Sequence, residues 1–218
     1  MPELTFAERA ERDDLGAFVA RAVRLEGGTV VRLRNRGGDD EDAPGRIDAW
    51  VATPFDVLAT RTVLGRVEPG DVTVSGNELL AALSVSRGER VDPGRVLDLQ
   101  WRSALPPKAH WQVVESLPAK IVTDLADRGL ELARENMGPH GTPPASLLDQ
   151  TVLTVTGDGL EVKIPLRCLF AMSGMGFLGT GDPADEQVRV TATDAWLRID
   201  ARYGAVVRRR HALLPLLV

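Results

Sequence analysis

The chain has 218 residues, 44% apolar, 26% charged and only 5% aromatic, with one cysteine and a net charge of −5. That is enough apolar chain to bury a core unaided, and it excludes an internal disulfide and a cysteine-cluster metal site. No apolar run approaches a membrane span of roughly 18 to 20 residues, Met1 to Asp14 carries no apolar signal core, and an acidic chain is poorly suited to coating nucleic acid; a soluble, cytoplasmic protein is expected.

In chain order, Thr5-Phe6-Ala7-Glu8 fits a capping box and predicts a short capped turn. Asp13 and Asp14 then precede Leu15, Phe18, Val19, Ala22 and Leu25, one apolar stripe of a helix over 13–26 that stops at Gly27-Gly28. Thr29 to Asn35 reads as a strand, and the acidic stretch Arg36 to Gly45 as a solvated loop lacking the glycine and glutamate positions of a calcium loop. Strands follow over 46–53, 56–65 and 72–74, then a leucine-bearing helix over 76–84 capped by Ser75 or Asn77. A strand is predicted from Val96 to Trp101, and Leu105-Pro106-Pro107 is the best domain boundary.

Trp111 to Glu115 reads as a strand, after which Ser116 caps a helix over 118–136 with the stripe Ile121, Leu125, Leu130, Leu132 and Ala133. A hairpin turns at Gly157-Asp158-Gly159, a short helix covers Leu166 to Met172, and strands close the chain over 188–193, 196–201 and 205–207. The expected class is α+β, with mostly antiparallel sheets and about four helices in two similar halves, 1–104 and 111–218, or one continuous domain.

The chemistry-bearing residues are sparse. His110, His140 and His211 lie far apart, with no second ligand at zinc spacing, and no nucleophile elbow, phosphate loop or CxxC pair occurs. Cys168 reads as a buried structural thiol. The residues imply no cofactor, no metal and no catalytic set. Gly174-Met175-Gly176-Phe177-Leu178-Gly179 spells GxGxxG, with Asp194 twenty residues after Gly174, but it follows a helix instead of a strand and reads as a helix stop. The alternative reading is an enzyme or ligand-binding protein with an anionic ligand held by Gly174, Gly176, Gly179, Asp194 and Arg198. Arg208-Arg209-Arg210 is the only dense basic run, and the tail after it carries Leu213, Leu214, Leu216 and Leu217, which must dock in the chain's own groove or on a partner. The four tryptophans, Trp50, Trp101, Trp111 and Trp196, all fall on predicted strands and read as core.

Gly45 to Leu83, with Ala52-Thr53-Pro54 at a strand corner, Glu68-Pro69-Gly70-Asp71 at a turn and Glu78 to Leu83 as a leucine-rich helix, resembles a half-domain of the DNA sliding clamps. Thr191-Ala192-Thr193-Asp194 resembles the same corner again. The resemblance implies two clamp-like domains. Three departures stand beside it. Pro54 replaces the aspartate of that family's corner, the helices carry few of the basic residues with which clamps face DNA, and 218 residues are few for a clamp subunit. The function expected is a non-catalytic interaction or assembly module with a protein partner or its own copies; nucleic acid held by Arg208 to Arg210 is less favoured, and no membrane is involved.

Overall fold

A computed structural model describes residues 1–37, 45–135, 143–178 and 186–210. The chain divides into two compact units: unit 1 is Met1–Pro54 with Leu58–Ala104, and unit 2 is Phe55–Val57 with Leu105–Val218. The fold is α+β and its strand pairs are antiparallel. No helix among the described residues is long and apolar enough to cross a membrane.

Unit 1 runs β1 (Glu3–Phe6), α1 (Arg9–Leu25), β2 (Val30–Arg36), β3 (Arg46–Thr53), β4 (Val57–Glu68), β5 (Asp71–Ser75), α2 (Gly76–Val85) and β6 (Arg90–Val91). Its sheet has the order β5-β2-β3-β4, and β1 pairs with both β4 and β6. Helix α1 buries Leu15, Phe18, Val19 and Ala22, at i, i+3, i+4 and i+7 on one face, and packs on α2. Each large apolar side chain on that face contributes about 1.5–3 kcal/mol by leaving water. Arg12 joins the same face because its guanidinium donates to the carbonyls of Ser86 (2.8 Å) and Gly88 (3.3 Å) and pairs with Asp13 at 3.0 Å. At α2, Ser75 is the cap, accepting from the Glu78 N–H.

Two expectations fail in this unit for the same reason. The Thr5–Glu8 stretch is no capped turn: Leu4 and Phe6 are buried, Glu3 and Thr5 alternate with them, and Thr5 pairs with Arg66 and Arg90. Non-local ladder bonds thus outcompete a local cap, and α1 begins at Arg9 with no side-chain cap on Glu8. Val96 to Trp101 is likewise no strand. Val96 makes one isolated bridge to Val74, and Asp98–Gln100 winds into a 3-10 turn whose Asp98 carboxylate accepts from the Thr73 N–H at 2.6 Å. Trp101 and Trp111 therefore lie outside strands, while Trp50 and Trp196 are buried strand residues.

Unit 2 runs β7 (Gln112–Pro118), α3 (Ala119–Glu135), α4 (Ala145–Leu148), β8 (Thr151–Gly157), β9 (Leu160–Pro165), α5 (Leu166–Gly174), β10 (Gln187–Ala192), β11 (Trp196–Ala201) and β12 (Gly204–Arg209). Its main sheet has the order β12-β11-β10-β7, and β8 pairs with β9 as a hairpin. The two units share one plan. In each, a helix leads into a three-strand meander (α1 into β2-β3-β4, α5 into β10-β11-β12), and the meander's first strand pairs with the strand that precedes the other helix (β5 before α2, β7 before α3).

Ser116 is no helix cap, since it pairs with Arg189 and β7 runs on to Pro118. Helix α3 lies almost where the spacing predicts it but turns a different face inward. Its buried residues are Ala119, Val122, Ala126, Gly129 and Ala133, while Ile121 and Leu132 stay 42% and 40% exposed. The cause is close approach: a Cβ on Gly129 would lie 2.3 Å from Leu166 Cδ1. Helix α5 is apolar nearly all round and buried from Leu166 to Met172, so α3 meets it mainly with small residues and leaves Ile121 and Leu132 out.

A candidate functional site at the end of β12

Arg208 and Arg209 end β12 and Arg210 follows it, opposite Trp196 and Leu197 of the neighbouring strand β11. The three arginines line a cleft of about 310 Å³, with Asp149, Thr151, Glu161, Lys163, Pro165 and Leu197 as the remaining wall. The basic run was legible in the sequence. The hairpin β8–β9 was also legible, but its approach to the arginines with Glu161 and Lys163, and that of the Asp149 that follows α4, were not, because these approaches span about fifty residues.

Each arginine is held differently. Arg208 reaches the carboxylates of Asp56 (3.5 Å) and Asp149 (3.6 Å), and its buried Nε has no hydrogen-bond partner among the described residues. Arg209 sits directly across the ladder from Trp196 and places its guanidinium 5.1 Å from the ring centroid. Arg210 donates to the Thr193 carbonyl (2.9 Å) and the Glu161 carbonyl (2.7 Å). Beneath them Arg167, buried on α5, donates Nε to Asp149 at 2.9 Å and Nη1 to the Phe55 carbonyl at 2.7 Å, while its Nη2 lies 2.7 Å from the same Asp149. The Phe55 ring meets Phe170 edge-on, with centroids 5.9 Å apart.

Cys168 lies beside this cluster and is fully buried. Burial pushes its thiol from an ordinary 9.0 up to about 12, although Arg208 and Arg167 pull it down. A raised thiol keeps its proton in the folded chain where the unfolded chain has lost it. Stability is therefore intact below pH 9 and falls as pH rises from 9 towards 12, by about 1.4 kcal/mol per unit at its steepest. Urea unfolding between pH 8 and 10.5 should show this slope in the natural chain and a flatter one in Cys168→Ala. A disulfide-exchange reagent should react with the thiol only after unfolding.

The other singled-out residues are placed as follows. Gly174 ends α5 and Gly176, at φ +62°, follows it. The N–H groups of Met175, Gly176 and Phe177 donate to Ala171, Ser173 and Met172, so the loop spends on its own helix the donors that an anion would need. Asp194 is exposed in the β10–β11 turn, and Arg198 donates to Asp200 on the same strand at 2.7–3.0 Å. His110 is exposed. Gly179, His140, His211 and the tail leucines Leu213, Leu214, Leu216 and Leu217 lie outside the described residues.

Unit 1 has a smaller cavity of about 210 Å³ that the sequence did not flag, at Arg32, Asp71, Thr73, Asp98 and Trp101. Arg32 grips Asp71 with two bonds of 2.7 and 2.8 Å and lies 5.8 Å from the Trp101 ring centroid. The Asp71 bond holds the Arg32 guanidinium above its ordinary value. Its polar groups answer one another.

The meander-and-helix plan, repeated in each unit, is found in known structures. The fold is that of a bacterial DNA sliding clamp. The chain aligns over 99% of its length with the DNA polymerase sliding clamp of Caulobacter crescentus, at TM-score 0.58 and 12% identity, covering 67% of that subunit. Against the Pseudomonas aeruginosa clamp the TM-score is 0.54 at 14% identity, with 94% of this chain and 64% of that one covered. Against a putative DNA polymerase III beta subunit of Eubacterium rectale the values are 0.56 and 12%, with 96% and 64% covered. The chain thus spans about two thirds of the length of these clamp subunits. Residues 1–103 match the family model described as Domain of unknown function (DUF8010), and residues 106–213 match Domain of unknown function (DUF8185). No curated protein matches the chain in sequence.

Proposed function

We propose that this chain is a non-catalytic association module that uses a clamp-like architecture to hold proteins, its own copies included, and that it does not coat duplex DNA. The charge on its helices carries the reading. Helix α1 has four arginines against three acids, α3 has three cations against four acids, α2 has one acid, and the one cation of α5 is the buried Arg167, so the helical charges cancel. A clamp that slides on DNA needs an excess of cations on its helices, because duplex affinity comes largely from neutralised phosphates. Association runs through the C-terminal segment, Arg208 to Arg210 with Leu213, Leu214, Leu216 and Leu217.

Two measurements on the purified chain test this. Light scattering should return a multiple of the 23.6 kDa chain mass, and a chain ending at Ala212 should return a smaller one. Fluorescence anisotropy with a labelled duplex should show no binding in about 50 mM salt. A monomer in both forms would overturn self-association. Duplex binding that falls steeply with salt would overturn the non-DNA reading.

A further inference from the structure

The cleft at the end of β12 holds more positive charge than its own carboxylates answer. Asp149 is taken by Arg167 at 2.7 Å and by Arg208 at 3.6 Å, and Glu161 lies 3.8 Å from Lys163. Asp56 stands 3.5 Å from Arg208 and 3.9 Å from Arg167. Arg209 and Arg210 remain, and neither has a carboxylate within 4.0 Å among the described residues. Arg209 is steadied by the Trp196 ring, and Arg210 is anchored by two carbonyls that fix its plane without neutralising it. A guanidinium has five N–H groups, so Arg210 keeps donors beyond the two it spends. Two oriented, unneutralised guanidinium groups at the wall of a 310 Å³ cleft, on a chain of net charge −5, form a local positive well in an acidic protein.

We propose that this cleft binds a small phosphate-bearing molecule, with Arg209 and Arg210 as the phosphate ligands and Lys163 as an outer cation. Arginine suits this task because its planar fork matches two phosphate oxygens at once. The cleft lies at the small end of ligand sites, with room for a pyrophosphate or a single sugar phosphate and not for a cofactor of dinucleotide size. The cleft shares Arg209 and Arg210 with the segment proposed above for association, so pyrophosphate is expected to compete there with a partner copy.

Isothermal titration of the full chain with sodium pyrophosphate in low-salt buffer tests it. A dissociation constant below about 1 mM is expected, and Arg209→Gln should weaken it about tenfold, the loss of one charge-assisted contact. Arg209 is exposed and its guanidinium lies against the Trp196 ring, so Arg209→Gln is expected to stay folded; Arg210→Gln, with a melting curve alongside, is the second variant. Absence of binding, or a pyrophosphate affinity that neither substitution changes, would overturn the site. Citrate binding as tightly as pyrophosphate would overturn the assignment to phosphate, and an oligonucleotide of about ten residues binding far more tightly than pyrophosphate would overturn the small-molecule reading. Light scattering on the same samples separates this outcome from any failure of self-association.

Discussion

Replacing Arg167 with alanine should lower the unfolding free energy of the full chain by about 3 kcal/mol in urea titration. Its side chain is only 9% exposed, and its guanidinium joins a carboxylate and a main-chain carbonyl that are distant in sequence, Asp149 and Phe55. Truncation leaves the Phe55 carbonyl without its donor and strips the nearest cation from Asp149. Asp149 is 46% exposed and recovers water, which holds the loss near 3 kcal/mol and below the upper end measured for sealed ion pairs. Lysine at 167 keeps the charge but cannot serve Asp149 and Phe55 together, so at least about 1 kcal/mol should stay lost. Arg167→Ala combined with Asp149→Ala should cost less than the two changes summed, by about 1–2 kcal/mol, because they share one bond network. A loss below about 1 kcal/mol for Arg167→Ala would mean that the guanidinium is idle, and that Phe170 and its neighbours alone hold this corner.

What the sequence disclosed and what it hid divide along one physical line. Period-two alternation named β2 to β5, the hairpin β8–β9 and β10 to β12 within a few residues, and apolar residues three and four apart named the buried face of α1, because both patterns record which side of a local element meets the core. The clamp fold was legible in another way, through the resemblance of Gly45 to Leu83 and of Thr191 to Asp194 to that family's half-domains. Errors came where a partner far along the chain decided the outcome. Thr5 looked like a cap because its competing partners, Arg66 and Arg90, are more than sixty residues away. Ile121 and Leu132 looked like core because nothing local reports that Gly129 must lie against Leu166. The candidate site shows the same division. The run Arg208 to Arg210 is visible as letters, whereas Asp149, Glu161 and Lys163, which turn a basic strand end into a lined cleft, are ordinary surface residues until the end of α4 and the strand β9 deliver them.

The hairpin turn itself offers the sharpest contrast between what local chemistry predicts and what packing demands. Asp158 and Gly159 are its two central residues, both with positive φ (+48° and +78°), as a tight two-residue hairpin requires. By local reasoning Gly159 is the indispensable glycine. Yet a Cβ on Gly159 meets nothing within 4 Å among the described residues, so Gly159→Ala should cost only the backbone strain, about 1 kcal/mol. Gly157 needs no unusual φ, since it is the last residue of β8 and pairs with Leu160. A Cβ there would lie 2.0 Å from the Val114 carbonyl oxygen and 3.0 Å from its carbon, which are main-chain atoms of β7 that cannot rotate away. Gly157→Ala must therefore push the hairpin off β7, and should cost at least about 3 kcal/mol. Urea unfolding of the two single variants reads the order directly. If Gly159→Ala proved the more damaging, turn geometry would govern this hairpin and its seat against β7 would be loose. The cleft would lose its rigid wall with it, because Glu161 and Lys163 stand on the strand that this turn begins.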